Sequence, residues 1–305
     1  MNLKSLLKKI VQKKNLYANS MLTEHLLTNF AFISKKDFLT GKVLESTKKG
    51  ITDTRYCDNE IIVSLTTYGK RIYEAYYAIE SIMQQSAKPN RIILWLENDF
   101  KNTTLPVTLQ NQVKRGLEIR YCTDIKSYKK LIPALTAFPS AAIITIDDDA
   151  IYHFDLIENL INEHIQNREL ILCGRLHRIK LLKTNKPAAY TKWIDCYDGF
   201  DLSPLNFPTG VGGVLYPPNC FTQEVLNEDV FMGICQYADD IWFKAMALLN
   251  NVQSKKIYTH KKNGKDYFSN IQDSRLVHIN IGQKMNDIQL KAVFDKYNLY
   301  GKLKV

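Results

Sequence analysis

The sequence lacks any long apolar run. No stretch approaches the roughly 18 to 20 residues that a helix needs to cross a bilayer. The first residues are interrupted by lysines and show no small-residue cleavage site, so neither a spanning helix nor a secretory signal is expected. The six cysteines (Cys57, Cys122, Cys173, Cys196, Cys220, Cys235) include no Cys-x-x-Cys pair. That spacing argues against a zinc site and fits reduced thiols in a cytosol. There is no Gly-x-Gly-x-x-Gly after the first strand and no Gly-Lys-Ser/Thr loop, which leaves dinucleotide-binding and P-loop chemistry without support. Helix-turn-helix, zinc-finger and RNP-like patterns are also missing. Nucleic acid is therefore not expected as a partner, despite a formal net charge of +10. No internal repeat or low-complexity segment is present.

What remains is ordinary globular material: 305 residues, 45% hydrophobic and 24% charged. That length suffices for a substantial core in one large α/β domain or two smaller ones. Much of the positive charge lies at the N-terminus. In residues 1–14, Leu3, Leu6, Leu7, Ile10 and Val11 recur at helical spacing, and Lys4, Lys8, Lys9, Lys13 and Lys14 fill the other positions. A basic amphipathic helix of this kind suits an anionic membrane surface; packing on its own domain or on a second subunit is the alternative. Residues 1–58 read as an N-terminal helical extension, with weaker helical patterns after residue 14. The principal domain spans 59–305.

From residue 60 the pattern alternates. Apolar runs at 61–65, 91–96, 117–122 and 141–146 read as strands; segments 72–85, 106–115, 128–137 and 154–167 read as helices. A further strand is expected at 170–175, helices at 236–250 and 286–297, and a strand-like segment at 276–280. Strands alternating with short helices predict an α/β, parallel Rossmann-type sheet.

One stretch stands out. Ala141-Ala142-Ile143-Ile144-Thr145-Ile146 runs directly into Asp147-Asp148-Asp149. The apolar part suits a strand buried on both faces, and ligands of open α/β sheets bind beyond the carboxyl ends of such strands. Three adjacent carboxylates repel one another and lose hydration when buried. A hard divalent cation such as Mn2+ or Mg2+ relieves both costs. The plainer alternative is a polar turn with Asp149 as a helix N-cap. A second acid pair, Asp239-Asp240, opens the helix expected at 236–250. It follows the glycine-rich segment Thr209-Gly210-Val211-Gly212-Gly213-Val214-Leu215-Tyr216-Pro217. As capping residues the pair would contribute about 0.5 to 2 kcal/mol. As a catalytic pair, one of them would take a proton from a hydroxyl.

Ile146-Asp147-Asp148-Asp149, then the glycine-rich segment, then Ala238-Asp239-Asp240-Ile241-Trp242-Phe243 resemble, in this order, the GT-A class of nucleotide-sugar glycosyltransferases. The likeness is to bacterial family 2 enzymes, with segments similar to exostosin-like transferases, and it covers roughly residues 60–285. It implies a GT-A-like, Rossmann-type mixed sheet flanked by helices. It also implies metal-dependent transfer of a sugar from a nucleoside-diphosphate sugar to a hydroxyl of a glycan or lipid-linked acceptor. The setting implied is bacterial surface polysaccharide synthesis in the cytoplasm or at the inner membrane. By the same resemblance Asp149 is the metal ligand, with Asp147 touching the nucleotide or the metal; His278 is a candidate third ligand, a satisfied core histidine being the plainer alternative. Asp240, or else Asp239, is the base. Thr66, Tyr68, Arg71, Glu97, Lys130 and Asp148 fall where relatives hold the donor nucleotide. Gly212, Gly213 and Trp193 fall on the acceptor side, and Trp242 is expected in the core.

The sequence is also compatible with two other activities. A nucleotidyltransferase acting on sugar phosphates also uses such a sheet with metal-bound carboxylates, but its first loop is normally glycine-rich, and Thr66-Thr67-Tyr68-Gly69-Lys70-Arg71 has one glycine. A non-catalytic sugar-nucleotide or glycan-binding protein is the other; it needs no base, so the intact Asp239-Asp240 pair counts against it.

Overall fold

The computed structural model describes residues 23, 26–259, 268–269 and 284–304. The basic segment 1–14, the strand expected at 276–280 and His278 lie outside them.

A helix over 26–45 (α1) precedes the sheet. Strands β1 (Ile61–Thr66), β2 (Arg91–Glu97), β3 (Leu117–Cys122) and β4 (Ala142–Thr145) then alternate with helices α2 (Tyr76–Met83), α3 (Val107–Val113) and α4 (Ile132–Ala137). The second half contains β5 (Ala150–Ile151), α5 (Leu156–Gln166), β6 (Ile171–Cys173), β7 (Leu176–Arg178), β8 (Asn206–Pro208) and β9 (Val214–Tyr216). It continues through α6 (Glu228–Ile234), α7 (Asp239–Leu249), β10 (Ser254–Lys256) and β11 (Phe268–Ser269) to α8 (Met285–Tyr297).

Seven strands form one sheet in the order β10-β6-β9-β4-β1-β2-β3. β1 pairs in parallel with both β2 and β4, and β2 with β3. The apolar runs take the centre because both faces there are covered by helices. Ile62, Ile93 and Ile143 enter the core that holds α7 and α8. Ile61, Val63, Leu65 and Ile144 enter the opposite core, shared with α2 and α5. Each such side chain gains roughly 1.5–3 kcal/mol on full burial. Phe32, Leu39 and Val43 of α1 are part of that second core, so α1 packs against α2 and the sheet.

The expected mixed α/β sheet is therefore present. Its antiparallel member is β9, paired with β4 through Ile143↔Tyr216 and Thr145↔Val214, and also with β6. This orientation has a consequence for position. Because β9 starts beside the carboxyl end of β4, the glycine turn leading into it lies over the acids that follow β4.

Trp242 is fully buried, and its indole N–H donates to the Val225 carbonyl at 3.0 Å, as suits the core residue expected from sequence. No helix among the described residues is long and apolar enough to cross a membrane.

Candidate active site

The acids beyond β4 sort themselves by the cation each one meets. Asp148 is buried and turns toward the loop after β1. Thr67 Oγ1 donates to its Oδ2 at 2.6 Å, Arg71 Nε donates to the same oxygen at 3.0 Å, and Arg71 Nη2 contacts Oδ1. Burial pushes the Asp148 carboxyl up to about 6 even though Arg71 pulls the other way. Arg71 Nη2 also reaches Asp149 Oδ2 at 2.8 Å. For Asp149, burial and then the charge of Asp147 raise the pKa, against the pull of Arg71. The guanidinium lies 5.5 Å from the Tyr68 ring centre. Burial opposes the charge on Arg71, but Asp148 and Asp149 more than offset it.

Asp147 points the other way. Its Oδ1 accepts from Lys130 Nζ at 2.9 Å, and its backbone N–H donates to the Tyr152 hydroxyl at 2.9 Å. Lys130 is buried, held in place where its carbonyl accepts from Ser64 Oγ at 2.6 Å on β1. The same ammonium lies 3.0 Å from Asp239 Oδ2. Burial disfavours its charge, yet Asp147, Asp239 and Asp240 hold it well above the ordinary lysine range. Lys130 thus ties the acid triplet after β4 to the acid pair that opens α7.

Asp240 completes the cluster. The Gly210 backbone N–H donates to both of its carboxylate oxygens at 3.1 Å. A Cβ on Gly210 would lie 2.6 Å from Lys130 Nζ, 3.1 Å from Asp240 Oδ1 and 3.5 Å from Asp147 Oδ1. A side chain at this position would displace the Lys130 ammonium and crowd Asp240. Burial, then Asp239 and then Asp147, push the Asp240 carboxyl up to about 7, with Lys130 opposing.

Asp147, Asp239 and Asp240 face a cleft of about 530 Å³. Tyr190, Trp193 and Phe207 form an aromatic wall, with the Tyr190 and Trp193 rings 4.7 Å apart and Trp193 and Phe207 5.1 Å apart. The Trp193 indole N–H is satisfied by the Ala188 carbonyl at 2.9 Å. Arg175 and His177 belong to the same lining. Arg175 Nη1 donates to Thr209 Oγ1 at 2.9 Å, and Nη2 is 3.0 Å from Asp195 Oδ1. Burial, then Arg175, push His177 down to about 4 despite Asp195, so its ring is neutral at pH 7.

The remaining residues singled out from sequence stand elsewhere. Thr66 Oγ1 donates to the Trp95 carbonyl at 2.9 Å. Glu97 pairs with Lys129 at 2.7 Å, and it is this neighbouring lysine that also holds Asp124 at 2.7 Å. Gly212 packs where a Cβ would sit 2.4 Å from Arg175 Cβ. Gly213 takes a φ of +77° with Leu156 beside it. None of these four lines the cleft among the described residues. Sequence reasoning passed over Gly210, Arg175, His177 and Tyr190. Gly210 lay within the glycine-rich segment, but nothing in the pattern distinguished it from Gly212 and Gly213.

Among the described residues no three carboxylate, histidine or cysteine side chains form a ready-made metal cage. The donor set still fits a hard cation. Asp147 and Asp149 are half-buried neighbours, and the charge of one raises the pKa of the other. Two carboxylates joined by substrate phosphates is the usual protein share of a Mg2+ site.

No family model matches the sequence, and no curated protein sequence matches it. Solved structures with a similar course include S. aureus TarS 1-349, at 14% identity and TM-score 0.43, covering 66% of this chain and 58% of that one. The same TarS fragment in complex with UDP aligns at 15% identity and TM-score 0.44, covering 78% of this chain and 72% of that one. The inositol-1-phosphate CTP transferase from T. maritima aligns at 11% identity and TM-score 0.39, covering 76% and 96%. The chain thus spans 58% of the length of the first TarS structure.

Proposed function

We propose that this chain is a glycosyltransferase that moves a hexosyl or hexosaminyl group from a nucleoside-diphosphate sugar to a hydroxyl of a glycan or lipid-linked acceptor. The observation that carries this reading is the convergence at Gly210. There an acid from the end of β4 and an acid from the start of α7 meet across one buried lysine, at the floor of a cleft with an aromatic wall.

The two acid groups suit the two halves of the reaction. The donor sugar–phosphate C–O bond breaks and leaves charge on the diphosphate. Asp147 and Asp149 are the residues that would hold Mn2+ or Mg2+, which when bound neutralises that leaving group. Arg71 steadies Asp148 and Asp149 and so fixes the donor-side loop. On the other side Asp240 takes the proton of the acceptor hydroxyl as the hydroxyl oxygen bonds to the anomeric carbon. A carboxyl pushed up to about 7 suits a base working near neutral pH. Lys130 limits the mutual repulsion of Asp147, Asp239 and Asp240. The half-buried ring of Tyr190, backed by Trp193, would suit the C–H face of an acceptor sugar. Surface polysaccharide assembly is the setting this chemistry would serve.

The test is a panel of UDP- and GDP-sugars incubated with the protein and Mn2+, read as free nucleoside diphosphate and as transferred sugar. Turnover of one donor supports the reading. Release of pyrophosphate from a nucleoside triphosphate and a sugar phosphate would instead make the protein a nucleotidyltransferase. A donor that binds without turnover would make it a binding protein.

A further inference from the structure

Several buried side-chain atoms lack a hydrogen-bond partner among the described residues, and four of them come from elements that pack on one another. They are Lys244 Nζ on α7, Arg178 Nε on β7, Asn206 Oδ1 on β8 and Ser254 Oγ on β10. The contacts around them hold them together. Arg178 lies opposite Asn206 in the β7–β8 pair. Both reach Asp201: Arg178 Nη2 donates to its Oδ2 at 2.7 Å, and Asn206 Nδ2 donates to its carbonyl at 2.8 Å. Asn206 Nδ2 also donates to the Ser254 carbonyl at 2.8 Å, which fixes the amide and leaves Oδ1 over. Lys244 is near enough to Arg178 and to Cys173 on β6 for their charges to act on its ammonium. Unpartnered polar atoms are rare in protein interiors, and a group of them marks a place for a bound species.

We infer that these four atoms form an internal binding site for a small monovalent anion of the chloride class. Three of the four are donors: the ammonium, the guanidinium Nε–H and the hydroxyl. Only Asn206 Oδ1 is purely an acceptor, and one ammonium hydrogen suffices for it. A water molecule would bring two more hydrogens to a site already rich in them; an anion brings none. Charge selects the same occupant. Arg178 is paired with Asp201, and the buried Lys256 lies 3.1 Å from Asp198 Oδ1. Among the described residues no carboxylate pairs with Lys244, so its charge is the one left for the anion to balance. Lys244 follows Asp240 by one helical turn, so the anion would tie α7 to β7, β8 and β10 behind the cleft. None of the four residues lines the cleft, and the site does not depend on the reaction proposed above.

The experiment compares wild type and Lys244→Met at pH 6 in chloride-free buffer, with sodium gluconate exchanged for sodium chloride at constant ionic strength. In gluconate the unpaired ammonium keeps its full penalty, and chloride should remove part of it in wild type only. Wild type should therefore melt about 3 °C or more higher in chloride, and the variant should show no such gain. Crystals of wild type grown with sodium bromide should give an anomalous peak between Lys244 Nζ and Ser254 Oγ. Equal gains in the two proteins, no gain in wild type, or water density at Lys244 without a bromide peak would overturn the inference.

Discussion

Asp240→Asn is a change small enough to isolate one charge. Asparagine keeps the shape of the side chain and an oxygen that can accept from the Gly210 N–H. What it removes is an ionisable group that burial, Asp239 and Asp147 have pushed up to about 7, from an ordinary value of 3.8. The native state therefore binds this proton more tightly than the unfolded chain does. The corresponding stability is fully present below about pH 4 and is lost as pH rises through about 7. At 1.36 kcal/mol per pKa unit the whole effect is about 4 kcal/mol, and sharing of charge with Lys130 and Asp239 brings the expected gain to about 2 to 4 kcal/mol. For a chain of this size that is roughly 5 to 10 °C in melting temperature. Calorimetric melting at pH 5 and pH 8, without divalent cation, should show the variant more stable than wild type at pH 8, with a much smaller difference at pH 5. Its transferase activity should fall by orders of magnitude while the donor still binds. An unchanged or lower melting temperature at pH 8 would refute the reasoning, because Asp240 would then carry no strained charge.

Lys130→Met should leave Asp147 and Asp239 without their shared ammonium and destabilise the fold by about 3 to 5 kcal/mol, measured by denaturant unfolding at pH 7.5; a loss below 1 kcal/mol would show that the pairing is slight. Lys244 sits buried on α7 with no hydrogen-bond partner for its Nζ, and burial pushes it down to about 7. Its folded pKa lies below the unfolded one, so the penalty is full below about pH 7 and disappears as pH rises toward 10.5. Lys244→Met should therefore raise the melting temperature more at pH 6 than at pH 10, and equal shifts would contradict this. Asp149→Ala should abolish Mn2+-dependent binding of UDP in titration calorimetry, whereas unchanged Mn2+ affinity would remove Asp149 from the metal site.

The parts of the fold legible in the sequence are those set by local pattern. The apolar run of β4, followed by charge, suits a strand covered on both faces. The acids that follow it, and those that open α7, were placed by their flanks. Other features come from pairings that no spacing encodes. Asp148 and Asp149 are parted from Asp147 because Arg71, 77 residues before Asp148, reaches both of them while Lys130 takes Asp147. Lys130 and Lys129 are adjacent, yet one joins the cleft acids and the other Glu97; which does which depends on how the turn after β3 packs under β1. Gly210, not Gly212 or Gly213, is the glycine at the crossing because β9 runs antiparallel to β4.

The central claim is that two acid groups joined by Lys130 divide donor and acceptor chemistry between them. Its most direct test is one assay on wild type, Asp149→Ala and Asp240→Asn together, in which donor binding and release of nucleoside diphosphate are measured in the same Mn2+-containing solution. The account predicts that wild type binds and turns over one donor, that Asp240→Asn binds it without turnover, and that Asp149→Ala does neither. Near-normal turnover by Asp240→Asn, or donor binding by wild type with no release of nucleoside diphosphate, would contradict it.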